Sequence, residues 1–186
     1  QACRPIVFGD REVLLSAAKM LSLPVTVEVI DKIQEEGYLP QKIFLYPLSQ
    51  LEATSLHFGK PDHPCGEAMV KYIKEAVRWV RNNTLNAITT SPINKQAINA
   101  AGHRFSGHTE LLAYLVGAPS VAMMFLGTKW KVVLVTTHIP IKEVSKWISR
   151  DRILATIRMT EEGLKKFWGF THPKIAVLGL NPHCGE

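Results

Sequence analysis

Two histidines follow apolar runs in this chain: His138 in Thr136-Thr137-His138-Ile139-Pro140, and His183 in Gly179-Leu180-Asn181-Pro182-His183-Cys184-Gly185-Glu186. Neutral imidazole is the commonest metal ligand. The runs before them, residues 131–137 and 174–180, read as buried strands, and each histidine has a proline within two residues. A single histidine so placed reads as a hydrogen-bonded residue at a strand end. Two at the tips of one sheet point to a divalent metal site, because α/β sheets gather function at the carboxyl ends of strands. Catalytic zinc usually takes three protein ligands and leaves one position open, so a third donor is expected from elsewhere. Cys184 is read as a bystander, since adjacent side chains off a turn diverge.

Two further motifs suit an anion. Gly107-His108-Thr109-Glu110 opens a helix, whose first amides and positive dipole end attract negative charge. Thr109 adds a hydroxyl and His108 a titratable donor. Ordinary capping by Thr109, with Glu110 complementing the dipole, is the competing reading, and it leaves His108 unexplained. Thr90-Ser91-Pro92-Ile93-Asn94-Lys95 offers hydroxyls, an amide and a lysine that could meet a carboxylate or phosphate. From spacing alone a capped turn with Lys95 in solvent is preferred there. No Walker loop, GxGxxG, GxSxG or HExxH occurs.

The elements that must position these groups alternate. Strands are predicted over residues 5–8, 25–30, 42–46, 85–90, 121–126, 131–137 and 175–180. Helices are predicted over 11–21, 66–80, 110–116, 141–148 and 152–168 from apolar spacing. In the best of them, Met69, Ile73, Ala76, Val77 and Val80 form one face, with Lys71, Lys74 and Arg81 in solvent. Pro92 is placed where the next helix begins. Alternation of this kind predicts βαβ units and a mainly parallel α/β sheet, and Gly127-Thr128 between two strands adds an antiparallel pair. A candidate domain junction lies near residues 102–107.

The 186 residues carry a net charge of +6 with 46% hydrophobic residues, a composition that supports a packed core. The basic residues are scattered, so an anionic small molecule is favoured over nucleic acid. The longest apolar runs are too short to span a bilayer. Three cysteines without CxxC spacing, and no signal-peptide pattern at the start, point to the cytoplasm. The absence of an initiator Met leads us to expect residues missing at that end.

Taken together, the motifs at Thr90, Gly107, Thr136 and Gly179 resemble those of the 4-hydroxythreonine-4-phosphate dehydrogenase family of vitamin B6 biosynthesis, and the likeness spans nearly the whole chain. The resemblance implies an isocitrate/isopropylmalate dehydrogenase-like fold, with two α/β/α domains and a cleft between them. It implies a cytoplasmic homodimer whose sites are completed by the partner. It also implies NAD or NADP oxidation of 4-phosphooxy-L-threonine, followed by decarboxylation to 3-amino-2-oxopropyl phosphate. A divalent ion (zinc, magnesium, manganese or cobalt) would be held by three histidines, of which His138 and His183 match two. His108 and Thr109 match the substrate-binding pair, and Lys95 is a further candidate contact. No residue is assigned as catalytic acid or base.

The family's amino-terminal Gly-Asp-Pro-type segment and its carboxyl third are absent from these residues. With the latter go the third histidine, its neighbouring aspartate and the basic residues that grip phosphate. The expectation is therefore an incomplete two-domain chain over residues 1–186, with weak metal binding and little activity alone. Three alternatives stand beside this reading. One is a dehydrogenase of D-threonate or D-erythronate 4-phosphate. Another is a metal-dependent hydrolase or lyase with Glu186 as the nearest candidate base. The last is a non-catalytic metal- or phosphate-binding module.

Overall fold

The computed structural model describes residues 3–33, 39–52, 57 and 59–183. By contact density the chain divides into two compact units, Gln1–Pro119 and Ser120–Glu186. The turn at residues 102–107 lies inside the first.

In the first unit, β1 (Val7–Gly9) leads into α1 (Arg11–Met20), followed by β2 (Thr26–Val29) and β3 (Lys42–Pro47). The strands form a parallel sheet in the order β1-β3-β2, with Val7 opposite Leu45 and Val27 opposite Ile43. Asp10 ends β1 and starts α1 in one residue: extended itself, it accepts the amides of Glu12 and Val13, as an N-cap aspartate does.

The next helix is α2 (His63–Arg81), started by the Asp62 cap on the Cys65 amide, with Pro64 in its first turn. Its inner face buries Ile73, Ala76 and Val77, as its apolar spacing predicts. Short helices α3 (Lys95–Ala100) and α4 (His108–Val116) follow. Ile73, Val77 and the fully buried Leu111 of α4 form the core cluster, with Ile88, Ile93 and Phe105 against it.

The second unit holds the antiparallel pair β4 (Met124–Leu126) and β5 (Lys131–Val133), with Phe125 opposite Val132. A 3₁₀ turn, Ile141–Glu143, runs into α5 (Val144–Trp147), and α6 (Arg150–Trp168) follows from a Ser149 cap. The hairpin matches expectation, while the single helix predicted over 141–148 is broken into these two pieces.

Three strand expectations are corrected. Residues 85–90 and 175–180 form no strand, and β5 stops at Val133 rather than continuing to residue 137. Apolar side chains favour a sheet, but a strand exists only where a second edge supplies its ladder bonds. The Leu134 amide still reaches the Met123 carbonyl at 3.1 Å, and the β4–β5 pairing ends there. Nor is the run before His183 buried: Leu178 is 88% exposed. Pro92 is also displaced from its expected place. Asn94 caps α3 by accepting the Ala97 amide at 2.9 Å, so the proline lies ahead of the helix rather than in its first turn.

Candidate functional site

The amino end of α4 is the best-formed polar site predicted from sequence. Its N-cap is Gly107, and no side chain caps it. Thr109 sits inside the first turn, so capping by Thr109 is set aside. Uncapped first-turn amides lack intrahelical partners and present a positive dipole end. His108 begins the helix, and its Nε2 is buried without a hydrogen-bond partner among the described residues. Native structures satisfy nearly all buried polar atoms, so an orphaned imidazole nitrogen marks a missing partner.

Lys95, the first residue of α3, comes to the same place. Its Cε lies 3.9 Å from where a β-carbon on Gly107 would stand, and Glu110 Oε2 lies 3.6 Å from that point. The turn thus brings the side chain of Lys95, itself exposed, and the Glu110 carboxylate beside His108 and a helix start that no side chain caps. Such a set can hold an anion and donate to it. The motif spacing indicated His108 and Thr109. The approach of Lys95 depends on the path of the intervening chain and could not be read from it.

A second polar group, missed in the sequence, sits at the carboxyl end of β1. Asp10 is 4% exposed. Besides capping α1, it accepts the Ser49 hydroxyl at 2.8 Å and the Leu51 amide at 2.7 Å. Ser49 Oγ also bonds the Tyr72 hydroxyl of α2. Burial opposes the charge on Asp10, but the four donors together outweigh it and hold its pKa below the ordinary value. Burial pushes the Tyr72 hydroxyl up. It also pushes the Cys65 thiol up, which leaves that cysteine a poor nucleophile. Asp10, Leu51, Cys65 and Tyr72 line a cavity of about 460 Å³, together with Ile73, Ile88 and Thr90. The Gly9-Asp10 helix start was a visible signal; Ser49 and Tyr72 join it only through the fold.

The two metal candidates belong to the second unit. His138 is exposed and lies past the end of β5 in left-handed backbone, φ 57°. His183 is exposed on a turn, its amide donating to Asn181 Oδ1 at 3.1 Å. Neither stands at a strand tip, because neither run completes its strand. Among the described residues no group of three or more His, Cys, Asp or Glu side chains could hold a metal ion. Imidazole nitrogen is a donor type that suits a divalent ion. Cys184 and Glu186 lie outside the described residues. No helix among the described residues is long and apolar enough to cross a membrane.

Comparison with known proteins agrees with the motifs. The family model described as "Pyridoxal phosphate biosynthetic protein PdxA" matches residues 1–186. The 4-hydroxythreonine-4-phosphate dehydrogenase of Desulforapulum autotrophicum is 44% identical over 99% of the chain and 54% of its own length. The D-threonate 4-phosphate dehydrogenase of Cupriavidus necator is 38% identical over 99% of the chain and 55% of its length. A crystal structure of a 4-hydroxythreonine-4-phosphate dehydrogenase from Burkholderia phymatum superposes with a TM-score of 0.86 at 36% identity, covering 98% of this chain and 55% of that one. The chain therefore spans about half the length of the curated relatives it matches. On the family match along its whole length, this chain belongs to the PdxA family of pyridoxal phosphate biosynthetic proteins.

Proposed function

We propose that the protein carrying this chain is an NAD(P)-dependent dehydrogenase of 4-phosphooxy-L-threonine, acting in vitamin B6 biosynthesis. The observation that carries this reading is the family match over residues 1–186, and the buried, unpartnered Nε2 of His108 at the uncapped start of α4 supports it. In the reaction the C3 hydroxyl becomes a ketone, hydride passes to the nicotinamide, and the β-keto acid loses CO₂ to give 3-amino-2-oxopropyl phosphate.

This chain's own contribution is to bind and orient. The first-turn amides of α4 and the Thr109 hydroxyl donate to an anionic group of the substrate. His108 supplies its unpartnered Nε2 to the same molecule, and Lys95 adds a positive charge across the Gly107 turn. Charge-assisted bonds of this kind are shorter and about twice as strong as neutral ones. His138 and His183 are proposed as two donors to a divalent ion, whose chemistry would be to lower the pKa of the substrate hydroxyl. An isocitrate dehydrogenase-like architecture, a homodimer and a cytoplasmic location complete the proposal.

A second reading, action on D-threonate 4-phosphate, is favoured by the Cupriavidus relative. Both substrates present a phosphate and a hydroxyl to the residues described. Steady-state kinetics of the protein carrying this chain on the two phosphates decides between them. The first reading requires the higher kcat/KM with 4-phosphooxy-L-threonine, and a preference for D-threonate 4-phosphate sinks it.

A further inference from the structure

The anion-binding turn is held from behind by one short stretch of α2. Gly66 is buried at the crossing of α2 and α3, where an added β-carbon would stand 2.1 Å from the Ala97 carbonyl oxygen and 2.5 Å from its carbon. Only a residue without a side chain allows the two backbones this close. The next residue, Glu67, reaches in the same direction: its Oε1 lies 3.0 Å from His103 Nε2, in the connection between α3 and α4. That connection is held in turn by the His103 amide on the Ile98 carbonyl and the Phe105 amide on the His103 carbonyl. Gly66 therefore sets where α3 lies, and Glu67 holds the start of the connection that leads from α3 to α4. Lys95 starts α3 and His108 starts α4, and they converge on Gly107.

We infer that Gly66 and Glu67 are positioning residues for the substrate site, fixing the separation of Lys95 from His108 and Thr109. This inference rests on the proposed function. Neither residue touches the anion; both act through α3 and the 101–107 connection. Restoring ordinary contact of 3.4 Å at Gly66 requires α3 to move by about 1.3 Å, from the 2.1 Å approach. Misplacement of about 1 Å at a binding constellation can cost on the order of 100-fold. The Glu67 carboxylate is half exposed, so its pair with His103 carries the smaller share.

The test is steady-state kinetics with 4-phosphooxy-L-threonine on the protein carrying this chain, with melting temperatures measured in parallel. Gly66→Ala is expected to lower kcat/KM about tenfold or more, chiefly through KM because Lys95, His108 and Thr109 bind rather than react. Glu67→Gln is expected to raise KM about two- to threefold, and Glu67→Gln combined with His103→Gln should do no more than either alone. The His108 imidazole resonance should also shift in Glu67→Gln, although Glu67 does not touch it. A fall in kcat at unchanged KM overturns the inference, as does additive behaviour of the pair. Should Gly66→Ala not fold, Glu67→Gln and its double variant decide alone. His108→Ala separates the two levels: if it leaves KM unchanged, the proposed function fails. If it raises KM while Gly66→Ala and Glu67→Gln do not, only the positioning role fails.

Discussion

Removing Asp10 offers the sharpest test of how the carboxyl edge of β1 is held. Its side chain is almost fully buried and accepts four hydrogen bonds, two from the first turn of α1 and two from Ser49 and Leu51. Losing an N-cap costs about 1 kcal/mol. The two longer-range bonds to a charged acceptor are worth about 1.5 kcal/mol each. Asp10→Ala should therefore destabilise the chain by about 4 kcal/mol. Asp10→Asn keeps a capping oxygen and loses the charge, and should cost about half as much. The pH dependence has a definite sign. The native pKa of Asp10 is depressed, so its contribution is present above the unfolded value of about 3.9 and is lost as pH falls through the native one. Urea unfolding followed by circular dichroism at pH 7 and pH 2.5 measures both effects. The gap between wild type and Asp10→Asn should narrow in acid. A cost below about 0.5 kcal/mol for Asp10→Ala, at the level of an ordinary surface change, would refute this account. So would a gap that holds or widens at pH 2.5.

Other perturbations follow from the same structure. Leu111 is fully buried in the core cluster, so Leu111→Ala should cost about 2–5 kcal/mol in urea unfolding. Ser149 caps α6 through the Arg152 amide at 3.2 Å, so Ser149→Ala should cost about 1 kcal/mol, with faster amide exchange in the first turn of α6. Zinc titration monitored by histidine NMR should move His138 and His183 together and leave His108 unmoved; a shift of His108 with zinc would reassign it from substrate to metal.

Much of the fold was legible because its signals are local. Apolar spacing located α2 and α6, but it begins them at residues 66 and 152, with residues 47–64 read as loop; the caps at Asp62 and Ser149 start them at His63 and Arg150. Gly127-Thr128 between two apolar runs marks the β4–β5 turn. Failures came where a signal describes only half of an interaction. Residues 85–90 and 175–180 have strand composition, but composition cannot say whether a second edge lies alongside, and among the described residues none pairs with them. The histidine motifs suffered the same way. Reading His138 and His183 at strand tips required strands that stop short, and the left-handed backbone at His138 left no mark in the sequence. At the candidate site, residue types were legible from the His108 motif. The orphaned nitrogen, the approach of Lys95 and the Asp10–Ser49–Tyr72 chain depend on residues brought together by folding.

The central claim is that the protein carrying this chain oxidises a phosphorylated hydroxy amino acid bound through the turn at His108. The most direct measurement is NAD(P) reduction by that protein with 4-phosphooxy-L-threonine and a divalent ion, comparing wild type with His108→Ala and His138→Ala. The account predicts turnover in the wild type, a raised KM at unchanged metal content for His108→Ala, and loss of metal-dependent turnover for His138→Ala. No turnover in the wild type, or turnover untouched by either substitution, would contradict it.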